Sequence, residues 1–175
     1  MAQVLNWYET VFELIDMRSF SNLWFWIALA VIWSTSSHWI LGVPFDLVVR
    51  ARKHGGGVQD DLNDMVRVNV NRILFIARTS GLWLLALGSF VLTAAALLGF
   101  VYGVEFAQAF FLLGFPLSVV WGLSVRTAQQ ILEADGADLH ARMVRHRIYV
   151  QIIGVFSIFV TALWGMYQNM AVGPL

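Results

Sequence analysis

Four stretches of the chain contain no Asp, Glu, Lys or Arg: Ser19 to Phe45, Thr79 to Val104, Phe106 to Val125, and Ile148 onward. A bilayer core of about 30 Å needs roughly 20 apolar residues at 1.5 Å per residue, and each stretch is long enough. Backbone groups in lipid must pair within their own segment, so each stretch is expected to be a helix. The runs are continuously apolar and lack the two-residue alternation of a barrel strand. The pattern predicts spans over 22–43, 80–103, 106–125 and 148–168. Gly103, Val104 and Glu105 are left to make a tight turn between the second and third spans, with Glu105 at the water interface.

The segments between the spans carry helical patterns of their own. Val4, Trp7, Tyr8, Val11, Leu14 and Ile15 fall on one stripe, which predicts an amphipathic helix over 1–18 lying on the membrane surface. Glu9, Glu13 and Asp16 stand where a signal peptide would carry its basic start, so no cleavable signal is expected. Residues 44–79 begin with Pro44 and a basic stretch, Arg50 to Lys53, and break at Gly55 to Gly57. Asp60 or Asp61 is then placed to cap a helix carrying Leu62, Met65, Val66, Ile73 and Ala77 into the second span. The alternation of Val68, Asn69, Val70 and Asn71 leaves a short strand open there. Residues 126–147 read as a loop with a break near Gly136 and a basic helix over 140–147, in which Asp138 can pair with Arg142. Residues 169–175 form a tail.

Composition narrows the class. The 175 residues are 59% hydrophobic and 13% charged, with a mean hydropathy of +0.70. Soluble domains carry about 25% charged residues, so the expected fold is an all-α, polytopic membrane four-helix bundle with the interfacial helix at its N-terminus. Eleven Lys and Arg balance eleven Asp and Glu, which excludes a basic nucleic-acid binder. The absence of cysteine excludes disulfides, thiolate metal sites and thiol catalysis. The basic residues are unevenly distributed. The 44–78 segment holds Arg50, Arg52, Lys53, Arg67, Arg72 and Arg78, and the 126–147 segment holds Arg126, Arg142, Arg145 and Arg147. The positive-inside rule therefore predicts both long segments in the cytoplasm of a bacterial inner membrane and both termini in the periplasm. Arg50, Arg52, Lys53, Arg145 and Arg147 are the expected contacts to anionic lipid headgroups.

Small residues recur every four positions: Ala30, Ser34, His38 and Gly42; Ala95, Gly99 and Gly103; Gly114, Ser118 and Gly122; Ser157, Thr161 and Gly165. Such stripes let helices approach closely in lipid and are the expected packing or partner faces. Trp24, Trp26, Trp39, Trp83, Trp121 and Trp164 lie toward span ends, as interface anchors do.

Chemistry has one candidate within the membrane, the run from Ser34 to His38. His38 shares its stripe with Ser34 and Gly42 and is expected to face protein. A histidine there could touch haem or quinone, relay protons or line a polar pathway. Bis-histidine haem binding would need a second histidine within a span. His54, His140 and His146 all belong to the basic side. No HExxH, Walker, GxSxG or GxGxxG motif occurs, and Pro116 reads as a kink. No catalytic residue, metal site or resident cofactor is expected.

The words Asn6-Trp-Tyr-Glu-Thr-Val-Phe-Glu, Arg18-Ser-Phe-Ser-Asn-Leu-Trp, Ser37-His-Trp, Gly42-Val-Pro-Phe-Asp and Thr161-Ala-Leu-Trp-Gly-Met-Tyr-Gln resemble a group of small four-span alphaproteobacterial inner-membrane proteins. That group is often described as a component of the Suf iron–sulfur cluster assembly complex. The resemblance implies a membrane tether for such machinery, since a chain without cysteine cannot hold a cluster by thiolates. The expected function is a non-enzymatic accessory or assembly subunit of a larger respiratory, photosynthetic or cluster-assembly complex. The alternative is a homo-oligomeric channel or small transporter lined by Ser34 to His38.

Overall fold

The computed structural model describes residues 19–171. The predicted surface helix over 1–18 and most of the tail lie outside them.

A single 3₁₀ turn, Ser19–Ser21, leads into helix α1, Leu23–His38. Asn22 caps it, its side-chain oxygen accepting from the Trp24 N–H at 2.9 Å. The helix ends five residues before the predicted span does. Trp39–Ile40 (β1) and Val43–Pro44 (β2) form a small antiparallel hairpin, with Ile40 opposite Val43. Leu41 and Gly42 make its turn at φ 53° and 77°. Two successive positive φ values match the hairpin twist and cannot continue a helix. Leu41 adopts this conformation at a cost of roughly 1–2 kcal/mol, and its burial in the core offsets it. The predicted first span over 22–43 is therefore a helix of 16 residues, about 24 Å long, followed by a hairpin.

Pro44 precedes helix α2, Phe45–His54, which has Asp46 in its first turn and Arg52, Lys53 and His54 in its last. This order of charge suits the helix dipole. Gly55 and Gly56, at φ 61° and 54°, redirect the chain. Helix α3, Gly56–Ala96, then runs unbroken for 41 residues, about 62 Å, twice the hydrocarbon thickness of about 30 Å. It starts ahead of Asp60 and Asp61, which are exposed on its early turns and do not cap it. Val68 to Asn71 are helical, which removes the strand alternative.

A π-helical turn, Leu97–Val101, and Gly103 at φ 73° close the second span. Helix α4, Glu105–Glu133, holds Pro116 within it. Helix α5, Leu139–Ala171, follows a short turn in which the Gly136 N–H donates to the Ile131 carbonyl at 3.1 Å. The predicted loop over 126–147 is thus two helix ends and a turn. Thr127 to Glu133 consist mostly of good helix formers, so α4 continues well beyond its apolar run.

The fold is all-α apart from the hairpin. Three helices, α3, α4 and α5, are long and apolar enough to cross a membrane. They stand in a row: α5 packs on α1 at one side and on α4 at the other, and α4 packs on α3. Helices α1 and α3 end the row and share no extended interface. The largest cluster of buried apolar side chains lies at the basic end. It joins Ile40 and Val43 of the hairpin, Val48 of α2, Leu62, Val66 and Val70 of α3, Ala128 and Ile131 of α4, and Met143 of α5. Along α3, by contrast, none of residues 75–94 is buried.

Candidate functional site

The predicted polar run of the first span does not face the interior. Ala30, Ser34 and His38 are exposed, and Leu29 and Trp33, one position earlier on the helix, are buried. The reason lies on α5. A Cβ at Gly154 would stand 2.8 Å from the Trp33 ring, so glycine there admits the indole. Trp33 then fixes the rotation of α1 and turns the Ser34–His38 stripe outward. The Ser37 hydroxyl donates to the Ser34 carbonyl at 3.0 Å, and the His38 ring meets Trp39 edge-on at 5.9 Å.

The other small-residue stripes divide. Ser157, Thr161 and Gly165 of α5 are all buried, Gly165 against Phe20 and Trp26. Gly114 touches Leu92. Ser118, Gly122 and Gly103 are exposed. Gly42 packs on Asn69 from the hairpin, outside any span. Gly99 packs on Gln108, where a Cβ would stand 2.8 Å from the Gln108 nitrogen.

That contact is part of a polar knot. Gln108, only 3% exposed, donates from Nε2 to the Gly99 carbonyl at 2.8 Å. Its Oε1 accepts from Trp164 Nε1 at 2.9 Å and from Gln168 Nε2 at 2.5 Å. One amide thus ties the π turn, α4 and α5 together. Nearby, Glu105 Oε1 accepts from the Phe20 N–H at 2.7 Å and secures the start of α1. Gln108 escapes a motif search, because a lone glutamine in an apolar run carries no pattern.

At the basic end, the predicted headgroup contacts take different roles. Arg50 pairs with Asp46 at 3.5 Å on the surface, and Arg52 and Lys53 are exposed. Arg147 is drawn inward, its guanidinium 3.9 Å above the centre of the Phe45 ring. It is a packing residue, cation on aromatic face. Arg145 instead joins Arg126 and Arg142 around a cavity of about 370 Å³ between α4 and α5. Gln130 and Tyr149 complete its rim, and His146 and Thr127 lie at its base. Among the described residues, no acidic side chain lines the cavity and none of its three arginines is in an ion pair. Arg142 Nε donates to the Ala137 carbonyl at 3.1 Å. The cavity collects positive charge at the point where the apolar runs of α4 and α5 end.

His146, just outside the apolar run of α5, is 3% exposed. Its Nδ1 lies 2.9 Å from the Thr127 hydroxyl and its Nε2 lies 3.4 Å from the Ser124 hydroxyl. Burial away from water lowers its pKa from 6.5 to about 4. The neutral ring is a structural pin between two helices. A second cavity, about 470 Å³, lies farther along the same pair of helices. Phe111, Phe115 and Val119 of α4 face Ile152, Phe156 and Val160 of α5 across it. Among the described residues, no three His, Asp or Glu side chains gather as metal ligands. The chain matches no protein-family model, no curated protein and no solved structure.

Proposed function

We propose that the chain is a non-enzymatic accessory or assembly subunit of a larger complex in the bacterial inner membrane, with its basic end in the cytoplasm. The observation that carries this reading is the open row of helices. A closed four-helix bundle would pack its second span against two neighbouring helices. Here α3 meets α4 along one edge only, and none of its residues 75–94 is buried. Gly81 and Gly88 lie two turns apart and so share one face. Among the described residues, a Cβ added at either glycine would meet no neighbouring atom within 4 Å. Helices in lipid associate where small residues permit close backbone approach, and among the described residues nothing fills this notch. The resemblance to proteins described with cluster-assembly machinery is consistent with a tethering role.

One feature favours the rival. Ser34 and His38 lie on the outer side of α1, where several copies could gather them round a pathway.

The native mass of the tagged chain decides, measured after expression at its own level and gentle extraction, with co-migrating chains identified. A species far above a small multiple of 19.7 kDa, containing subunits of a membrane complex, is expected. Gly88→Leu should fill the notch and release those subunits without unfolding the chain. A small multiple containing this chain alone would overturn the accessory reading in favour of the oligomer.

A further inference from the structure

The two cavities between α4 and α5 lie on one continuous track. On α4, Phe115, Val119, Leu123, Arg126 and Gln130 follow one another at spacings of three and four. On α5, Phe156, Ile152, Tyr149, Arg145 and Arg142 do the same. Residues so spaced share a helix face. The track therefore has a cationic head, made by three arginines without acidic partners among the described residues, and an apolar trough that continues from it into the apolar runs of the two helices. From Arg126 to Phe115 it extends about 16 Å, half of a hydrocarbon core of about 30 Å.

We propose that this groove binds an anionic phospholipid, with its phosphate among Arg126, Arg142 and Arg145 and one acyl chain along Phe115, Val119, Ile152 and Phe156. Charge complementarity sets the head. Guanidinium groups grip phosphate oxygens through paired N–H donors, and Tyr149 lines the same cavity. The trough sets the tail: its lining is aromatic and aliphatic, with Ser157 its one polar side chain, and that hydroxyl donates to the Leu112 carbonyl. A phosphate without chains would leave the trough empty, and a zwitterionic lipid would meet three arginines with no net charge of its own. Basic pockets between helices at the cytoplasmic membrane surface bind lipid phosphates in this manner. The assignment concerns lipid alone and stands or falls independently of any protein partner.

The test is native mass spectrometry of the full chain, extracted in mild detergent from membranes holding both zwitterionic and anionic phospholipid. One retained anionic phospholipid is expected. Arg126→Gln and Arg142→Gln should each weaken its retention about fivefold, and Arg72→Gln, exposed on α3, should not change it. Val119→Trp fills the trough and leaves the arginines in place; it should also lose the lipid. Equal retention by wild type and Val119→Trp would overturn the proposal, even if the arginine variants failed to fold. So would full displacement of the lipid by inorganic phosphate at equal concentration, which would mark a plain anion site.

Discussion

His146 stands between two arginines in the sequence, yet its ring is enclosed by Thr127 and Ser124 of the neighbouring helix. The unfolded chain takes up a proton on this ring below about pH 6.5. The folded chain resists that proton until about pH 4. Stability is therefore intact above the unfolded value and is lost as pH falls through this window, by up to about 1.4 kcal/mol per pH unit. The melting temperature in detergent should be level near pH 7 and above, and should fall between pH 6.5 and 4. His146→Gln keeps a hydrogen-bonding group without the titration, and should flatten that acid slope. An unchanged slope in the variant would locate the titration elsewhere. None of this burial is legible in the sequence, because it depends on α4 continuing as helix far enough to place Thr127 opposite. Trp33 teaches the same lesson. The stripe of small residues beside it looks like a packing face, but a large ring seated on Gly154 decides which way α1 turns.

Among the elements, the apolar runs were legible and their limits were not. Length and lack of charge locate the three helices long and apolar enough to cross a membrane, since lipid leaves the backbone no other option; the first run yields a shorter helix and a hairpin. Those rules say nothing of where a helix stops once it enters water. There α3, α4 and α5 continue on ordinary helix propensity, and α1 stops early because Leu41 and Gly42 take positive φ. At the opposite end the π turn is held by Gln108, whose amide serves a carbonyl on one element and two donors on another. Gln108→Leu keeps the bulk and removes the bonds. Leaving those groups unpaired costs about 1–3 kcal/mol each. The variant should melt earlier, and the Trp164 fluorescence should change as its indole N–H loses its partner. An unaltered melting curve and emission would show that the knot contributes little.

Over the whole molecule, stability is concentrated at the basic end. The cluster around Leu62, Val66, Ile131 and Met143 is enclosed as in a water-soluble domain, and the middle of α3 touches little protein. Leu62, fully buried, should cost about 2–5 kcal/mol when replaced by alanine. Leu85, exposed in the mid-span, should cost less than about 0.5 kcal/mol. Thermal melts of Leu62→Ala and Leu85→Ala in one detergent measure the difference, and similar losses in both would refute the uneven distribution. The placement of this cluster also sets how late in synthesis the core can close. Its members begin at Ile40 and are complete only with Leu139 and Met143, so α1, α3 and α4 leave the ribosome before the residues that seal it. Until α5 starts to emerge, Val66, Val70 and Ile131 remain open to water on the nascent chain. A chain truncated within the turn before Leu139 would hold three of its four apolar segments and still lack the closure of its core, and quality-control proteases would find it by that wet apolar surface.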